Sequence, residues 1–337
     1  MVKVSVILPV YGVAQYIEKC VQSLLSQTLD DMEFIFVDDH GPDNSIELAR
    51  RAIEGHPRQG QFVFLRPEHN LGAGMARNFA IPQTRGEYVA FVDSDDWVEP
   101  RMFEELYAAA TKHGCTDLCC CQMQKAYMDG SKGGVMENPH VGDGPITPEK
   151  RAYILTHYVS LFSSFIYRRE FLLCNDIHFA EDRSADDSYF ISCAWMTAAS
   201  IAYVDKPFYQ YLIRPGSVTT TKDSTKYQKR MAVFDKLMQY AKDRQVYDEF
   251  KPEIDFMYLK KGYLSSVTNY IVNSTDPNPA VYETIHDRLV ELIPDYRSNK
   301  YYRKNSTLRL LNWMLRNMPR LATKAIRFWA QKNNVVS

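Results

Sequence analysis

The chain has 337 residues, 45% of them hydrophobic and 24% charged, with a formal net charge of −1. That length supports one large domain or two ordinary ones, and near-neutrality argues against wholesale binding of nucleic acid. Residues 296–337 hold ten Lys or Arg and no Asp or Glu, so the preceding part is acidic by about the same amount and the C-terminal stretch favours an anionic surface.

In chain order, residues 4–8 predict a strand, 14–26 an amphipathic helix, 33–37 a strand and 45–53 a helix. Residues 62–65 then predict a strand, 75–81 a helix and 88–92 a strand, and a further helix opens at Pro100. Such alternation implies right-handed crossovers and a mostly parallel sheet covered by helices, an α/β architecture. Pro9, Gly41-Pro42 and Gly86 punctuate it. The run 118–123 contains Cys119, Cys120 and Cys121 and predicts a buried strand. Seven cysteines, an odd number, suit a reducing compartment better than a disulfide framework. The chain opens almost at once into a strand and has no apolar run of about eighteen residues, so the expected location is cytoplasmic, or peripheral on the inner face of a membrane. Residues 130–148, rich in Gly and Pro, predict a loop or ragged hairpin. From about residue 225 the pattern is helical, over 227–244, 254–273 and 280–293. A boundary near Thr220 therefore separates an α/β domain, 1–220, from a helical C-terminal region, 221–337.

Three predicted strands deliver residues suited to chemistry: Pro9-Val10-Tyr11, Asp38-Asp39 and Asp93-Ser94-Asp95-Asp96. In an open α/β sheet, ligands sit beyond the carboxyl ends of the strands where strand order reverses. Carboxylates gathered there need a cation, and Mg²⁺ is usually held by one or two carboxylates plus substrate phosphates. Singly, the acids have plainer readings: Asp96 as a cap for the helix that Pro100 continues, Asp43 or Asn44 as a cap for the helix before it. Gly72-Ala73-Gly74 imitates a dinucleotide loop, but six residues separate it from the preceding predicted strand and Arg77 holds the third glycine position.

The succession Val4-Ser5-Val6-Ile7-Leu8-Pro9-Val10-Tyr11, Ser26-Gln27-Thr28, Val37-Asp38-Asp39, Arg77-Asn78, Gly86-Glu87-Tyr88 and Val92-Asp93-Ser94-Asp95-Asp96 resembles glycosyltransferase family 2, of the GT-A fold, across residues 2–217. The resemblance implies inverting, metal-dependent transfer of a sugar from a nucleotide-sugar donor, UDP-linked in the first instance, to a hydroxyl of a glycan or lipid-linked glycan in the synthesis of a surface polysaccharide or lipid-linked oligosaccharide. It implies that Pro9 and Tyr11 line the uridine pocket and that Asp39 reads the base. Arg77 then stands near the nucleotide, and Asp93 and Asp95, flanking Ser94, hold Mg²⁺ or Mn²⁺ against the diphosphate.

Downstream, Ala185-Asp186-Asp187-Ser188 resembles the segment whose second acid is the catalytic base, which by position is Asp187. Such a carboxylate takes the acceptor hydroxyl's proton while the oxygen attacks from the side opposite the diphosphate. The family usually has Glu where Asp186 stands, so the roles of Asp186 and Asp187 stay open to exchange. Residues 209–217 resemble a loop that closes over the diphosphate, with Arg214 supplying charge and Gly216 flexibility, although Leu212 replaces a frequent basic residue. His178 reads as structural.

Two alternatives stay open on the residues alone. A sugar-phosphate nucleotidyltransferase would usually show a basic, Gly-rich loop after the first strand, and Val10-Tyr11-Gly12-Val13-Ala14 has no Lys or Arg. A non-catalytic glycan- or lipid-binding scaffold on the same fold is the other. The basic tail, over 307–316 and 321–329, reads equally as a helix lying on anionic lipids or as one packed on its own domain.

Overall fold

The structure is a computed structural model and describes residues 1–112, 114–181, 185–214 and 224–332. Strand β1 (Val4–Val10) is buried at every position, as a largely apolar run demands when neighbours lie on both sides; its one hydroxyl, on Ser5, donates to Glu33 at 2.6 Å. It pairs in parallel with β2 (Met32–Asp38) on one side and with β4 (Tyr88–Phe91) on the other, and β3 (Phe62–Leu65) adds in parallel to β2. Helices α1 (Ile17–Leu25), α2 (Ser45–Ile53) and α3 (Ala73–Ala80) make the crossovers. Strand order therefore reverses at β1, which places the cleft over the ends of β1 and β4.

Proline inside a central strand is normally excluded because it lacks a ladder donor. Pro9 is tolerated here because the pairing of β1 with β4 ends at Ile7 and Phe91, two residues earlier. Its carbonyl instead accepts the Ser94 hydroxyl at 2.7 Å, which pins the residues after β4 across the end of β1.

Beyond β4 the sheet is mixed. Strand β9 (Phe165–Arg168) inserts antiparallel between β4 and β6 (Leu118–Tyr127), and β10 (Ser200–Ile213) runs parallel to β6. The order is β3-β2-β1-β4-β9-β6-β10-β5, where β5 is Trp97–Val98. Strands β7 (Lys132–Met136) and β8 (Gly144–Pro145), paired on β6 and β10, organise the Gly- and Pro-rich stretch as partial hairpins. The expected loop over 209–217 is corrected in part: Tyr209 to Ile213 belong to β10, and residues 215–217 lie outside those described.

Helices α4 (Met102–Thr111), α5 (Pro148–His157), α6 (Arg169–Cys174) and α7 (Asp186–Thr197) complete this part. One face of the sheet packs Phe34, Phe36, Val21, Leu24 and Phe103 into a continuous apolar core. The other carries an aromatic cluster: Phe91 meets Phe179 and Phe190 edge-on, each at 5.2 Å, and Phe179 stacks on Phe190 at 4.2 Å.

The chain divides into two compact units, Met1–Arg214 and Pro215–Ser337. The second consists of α8 (Lys226–Asp243), α9 (Lys251–Met257), α10 (Ser265–Asn273), α11 (Pro279–Leu292), α12 (Lys300–Lys304), α13 (Ser306–Asn317) and α14 (Pro319–Lys332). Where periodicity predicts one helix over 254–273, a wide π-type segment, Tyr258–Leu264, joins α9 to α10. Gly262 sits within it, and a Cβ there would come within 3.2 Å of Phe234. The unit is centred on a buried polar knot: Tyr263 donates to Asn312 Oδ1 at 2.8 Å, and Asn312 Nδ2 donates to the hydroxyls of Tyr296 and Tyr302 at 3.2 and 3.0 Å. No helix among the described residues is long and apolar enough to cross a membrane.

Candidate active site

Asp93, Ser94, Asp95 and Asp96 leave the end of β4 in a tight turn closed by the Asp96 amide on the Asp93 carbonyl, 3.0 Å. Ser94 is buried and committed to Pro9, so Asp93 and Asp95 are the two acids left facing the cleft. Each is met by a guanidinium. Arg77, from α3, pairs with Asp93, and Arg214, just after β10, donates from Nε to Asp95 at 2.8 Å. Arg77 is only 5% exposed, lies 4.8 and 5.0 Å from the Phe162 and Phe179 rings, and its Nε has no partner among the described residues. Arg214 lies 4.7 Å from the Tyr16 ring. Aromatic faces and one carboxylate each thus hold both cations in place.

The acids are in electrostatic tension. Burial raises the Asp95 carboxyl above the usual carboxylate range and Asp93 repels it further, while Arg214 pulls it back. Asp96 is raised well above that range by burial and by both neighbours. The cap reading of Asp96 is corrected: α4 begins after Arg101 with no side-chain cap. Asp96 instead accepts from the Tyr209 hydroxyl and the Leu212 amide, each at 2.7 Å. The same hydroxyl receives the Asp93 amide at 3.1 Å. One buried tyrosine therefore ties the acidic turn to β10 and sets Arg214, two residues after Leu212, against Asp95. Of the two residues read as caps for α2, Asn44 makes no cap bond. The amide of Ser45 goes to Asp43, at 3.2 Å.

Asp186 and Asp187 open α7 after Ala185, which adopts a left-handed conformation at φ 72°. Asp186 is pushed up to about 7, first by burial and then by Asp187, with Arg77 acting in the opposite direction. Asp186 lies against Gly74 of α3, the helix that also carries Arg77, and this brings the start of α7 towards the acidic turn of β4. Gly74 makes the approach possible, because a Cβ there would collide with Asp186 Oδ2. Next to Arg77, Asn78 clamps the segment leading to α7 by exchanging two 2.8 Å hydrogen bonds with the backbone of Phe179. Asp187 accepts the Ser188 amide at 2.7 Å. His178 bonds the Asp176 carbonyl at 2.9 Å, a local contact in keeping with a structural part.

At the β1 and β2 ends, Tyr11 is 53% exposed and Asp39 is 2% exposed. The Asp39 carboxylate accepts from the amides of Leu71 and Gly72 at 2.6 and 2.8 Å, and so fixes the loop that leads into α3. Beside it, Val10, Gly12, Asp38, Gly41, Asp43 and Arg66 line a hollow of about 130 Å³, with Arg66 and Asp38 paired at 3.3 Å. Val10 and Asp38 stand in the quoted motifs, whereas Arg66 was marked by none.

Among the described residues no group of three or more His, Cys, Asp or Glu side chains is arranged to hold a metal. Two carboxylates of one turn, Asp93 and Asp95, do fit Mg²⁺ or Mn²⁺, which takes water and ligand phosphate at its remaining positions.

Acids and guanidinium groups gathered at the switch point of an open α/β sheet suit a group-transfer enzyme, and the sequence profile described as glycosyl transferase family 2 matches residues 5–174. The chain belongs to that family and is a glycosyltransferase. The putative glycosyltransferase EpsH of Bacillus subtilis is 29% identical over 259 residues, 75% of this chain and 73% of its own. The poly(ribitol-phosphate) beta-N-acetylglucosaminyltransferase TarS of Staphylococcus aureus is 31% identical over 222 residues, 64% of this chain and 36% of its own. Among solved structures, S. aureus TarS 1–349 in complex with UDP-GlcNAc aligns with TM-score 0.65 at 22% identity, covering 98% of this chain and 92% of that one. The mannosyltransferase PcManGT from Pyrobaculum calidifontis, in complex with GDP-Man and Mn²⁺, aligns with TM-score 0.55 at 17% identity, covering 97% and 87%. These structural likenesses establish the GT-A fold. Family membership also sets aside the nucleotidyltransferase alternative.

Proposed function

We propose that this enzyme transfers a sugar from a nucleotide-sugar donor of the UDP class to a hydroxyl of a glycan or lipid-linked glycan in surface polysaccharide synthesis, with a divalent metal and with inversion at the anomeric carbon. The observation that carries the reading is the convergence of Asp93, Asp95, Arg77, Arg214 and Asp186 at the strand-order switch. The TarS complex with UDP-GlcNAc supports the donor class. Asp93 and Asp95 would hold Mg²⁺ or Mn²⁺. When bound, that ion supplies the charge that offsets the departing diphosphate.

The remaining steps are those of the chain's own residues. Arg77 and Arg214 turn from their carboxylates to phosphate oxygens, where guanidinium geometry suits bidentate pairing. Tyr11, the Pro9 end of β1 and the hollow walled by Asp38 and Arg66 receive the base and ribose. Asp39 contributes by holding the loop beside them. Asp187 accepts the proton of the acceptor hydroxyl, and attack from the face opposite the diphosphate inverts the centre. Asp186, wedged on Gly74 beside Arg77, sets the position of its neighbour. A lipid-linked acceptor would place the work at an anionic membrane surface on the cytoplasmic side.

Calorimetric titration of the full chain with UDP-GlcNAc and GDP-mannose, with and without Mn²⁺, tests the donor site. Metal-dependent binding of a UDP-sugar is expected, and absence of binding by any sugar nucleotide refutes the reading. The anomeric configuration of the product, read by NMR, tests inversion.

A further inference from the structure

Helices α13 and α14 are apolar on two sides. Leu308 and Leu315 of α13, and Ala322, Ile326 and Ala330 of α14, are buried within the C-terminal unit. Facing outward are Leu310 at 58% exposure, Trp313 at 52%, Leu321 at 48% and Phe328 at 69%. Leu310 and Trp313 are three residues apart, and Leu321 and Phe328 are seven apart with Lys324 between them, so each pair shares one helix face. Arg309, Arg316, Arg320 and Lys324 are exposed on the same two helices, and no acid occurs from residue 296 onward.

The outward orientation is built into the packing. Arg327, on the other side of α14, donates to the Ile271 and Thr275 carbonyls at 3.2 and 3.0 Å, and so fastens α14 to the end of α10. The sequence left two readings of the tail open, and the structure accommodates both: one stripe packs on the unit and a second stripe of large apolar and basic side chains faces away. Soluble monomers seldom display such a face without something to cover it. A second copy of the same surface would bring like charge onto like charge. A sheet of anionic phosphates with an apolar layer beneath matches both components.

We propose that the outer face of α13 and α14 docks on an anionic lipid bilayer, with Trp313 and Phe328 entering the headgroup boundary and Arg309, Arg316, Arg320 and Lys324 pairing with lipid phosphates. This inference deepens the reading of a lipid-linked acceptor by naming the surface that brings the enzyme to it, and its physical test is independent of the donor site.

The test is flotation of the full chain with phosphatidylcholine vesicles and with phosphatidylcholine–phosphatidylglycerol vesicles. Wild type is expected to float with the anionic vesicles only, and less at raised salt. The double variant Trp313→Ser, Phe328→Ser is expected to lose partitioning by about tenfold or more. Because both side chains are exposed, its far-ultraviolet circular dichroism should match wild type. Failure of wild type to float with anionic vesicles, or equal flotation of the double variant, overturns the proposal. So does a dimer, seen by light scattering, that the variant abolishes, since the face would then belong to a second copy. Flotation without any sugar-nucleotide binding would uphold the surface and sink the catalytic reading alone.

Discussion

In the C-terminal unit, Asn312 is buried among Tyr263, Tyr296 and Tyr302 with its carbonyl and both amide hydrogens engaged. In the N-terminal unit, Asp93 and Asp95 are paired with two arginines, Asp95, Asp96 and Asp186 are raised by burial and by neighbouring carboxylates, and Arg77 Nε is left over. A network with its hydrogen bonds engaged has nothing further to bind and serves the fold. A charged cluster whose members still oppose one another retains affinity for a ligand that the protein does not itself provide.

That contrast can be broken by substitution, and the largest effect is expected at Asp187. Asp187→Asn should keep donor binding in calorimetry and lower transfer by roughly 10²- to 10⁴-fold, as removal of a general base does. Equal transfer by the variant would move the base to Asp186. Asp95→Ala should differ in kind, losing metal-dependent donor binding and about 10²- to 10³-fold in turnover; tight Mn²⁺-dependent binding by this variant would show that the charge tension has another use. Gly74→Ala drives a methyl group into the Asp186 carboxylate. Transfer should fall about 10- to 100-fold with the melting transition little changed, and normal turnover would show that Asp186 has room to move.

On the other side of the comparison, Asn312→Leu should reduce stability by roughly 1–3 kcal/mol in urea titration, because it strands tyrosine hydroxyls, and should leave donor affinity alone. The smallest effect concerns pH. Asp186 binds its proton more tightly folded, at about 7, than at the ordinary aspartate value of 3.8. The folded state then holds more protons across that window, so its contribution to stability is greatest below about 4 and declines as pH rises to 7. Asp186→Asn should remove this slope from the pH dependence of ligand-free unfolding. An unchanged slope would locate the tension in Asp95 and Asp96 instead.

The first half of the sheet was legible because buried parallel strands are predominantly apolar, and residues 4–8, 33–37, 62–65 and 88–92 are so apart from Ser5 and Glu33, whose side chains bond each other at 2.6 Å. Strand β9 left little trace: four residues, Phe165–Arg168, inserted from far along the chain, carry no period that separates them from a buried helix turn. Asp93 and Asp95 could be read from their place after a strand. Asp96 could not, because its partners Tyr209 and Leu212 stand more than 110 residues away and proximity along the chain offered only a cap. Gly74 was visible as a glycine, and only the packed position of Asp186 shows what it leaves room for. In the tail, charge and aromatic content were plain in the sequence, whereas the division into an inward and an outward stripe needed the register of α13 and α14.

The pairing of each cleft acid with its own arginine has a consequence for timing. On the proposed reading, a bare divalent ion would have to displace a guanidinium left without counter-charge, whereas a diphosphate arriving with its ion would offer Arg77 and Arg214 new anions in exchange. The cleft would then favour the assembled complex over either component, in the manner of a coincidence detector.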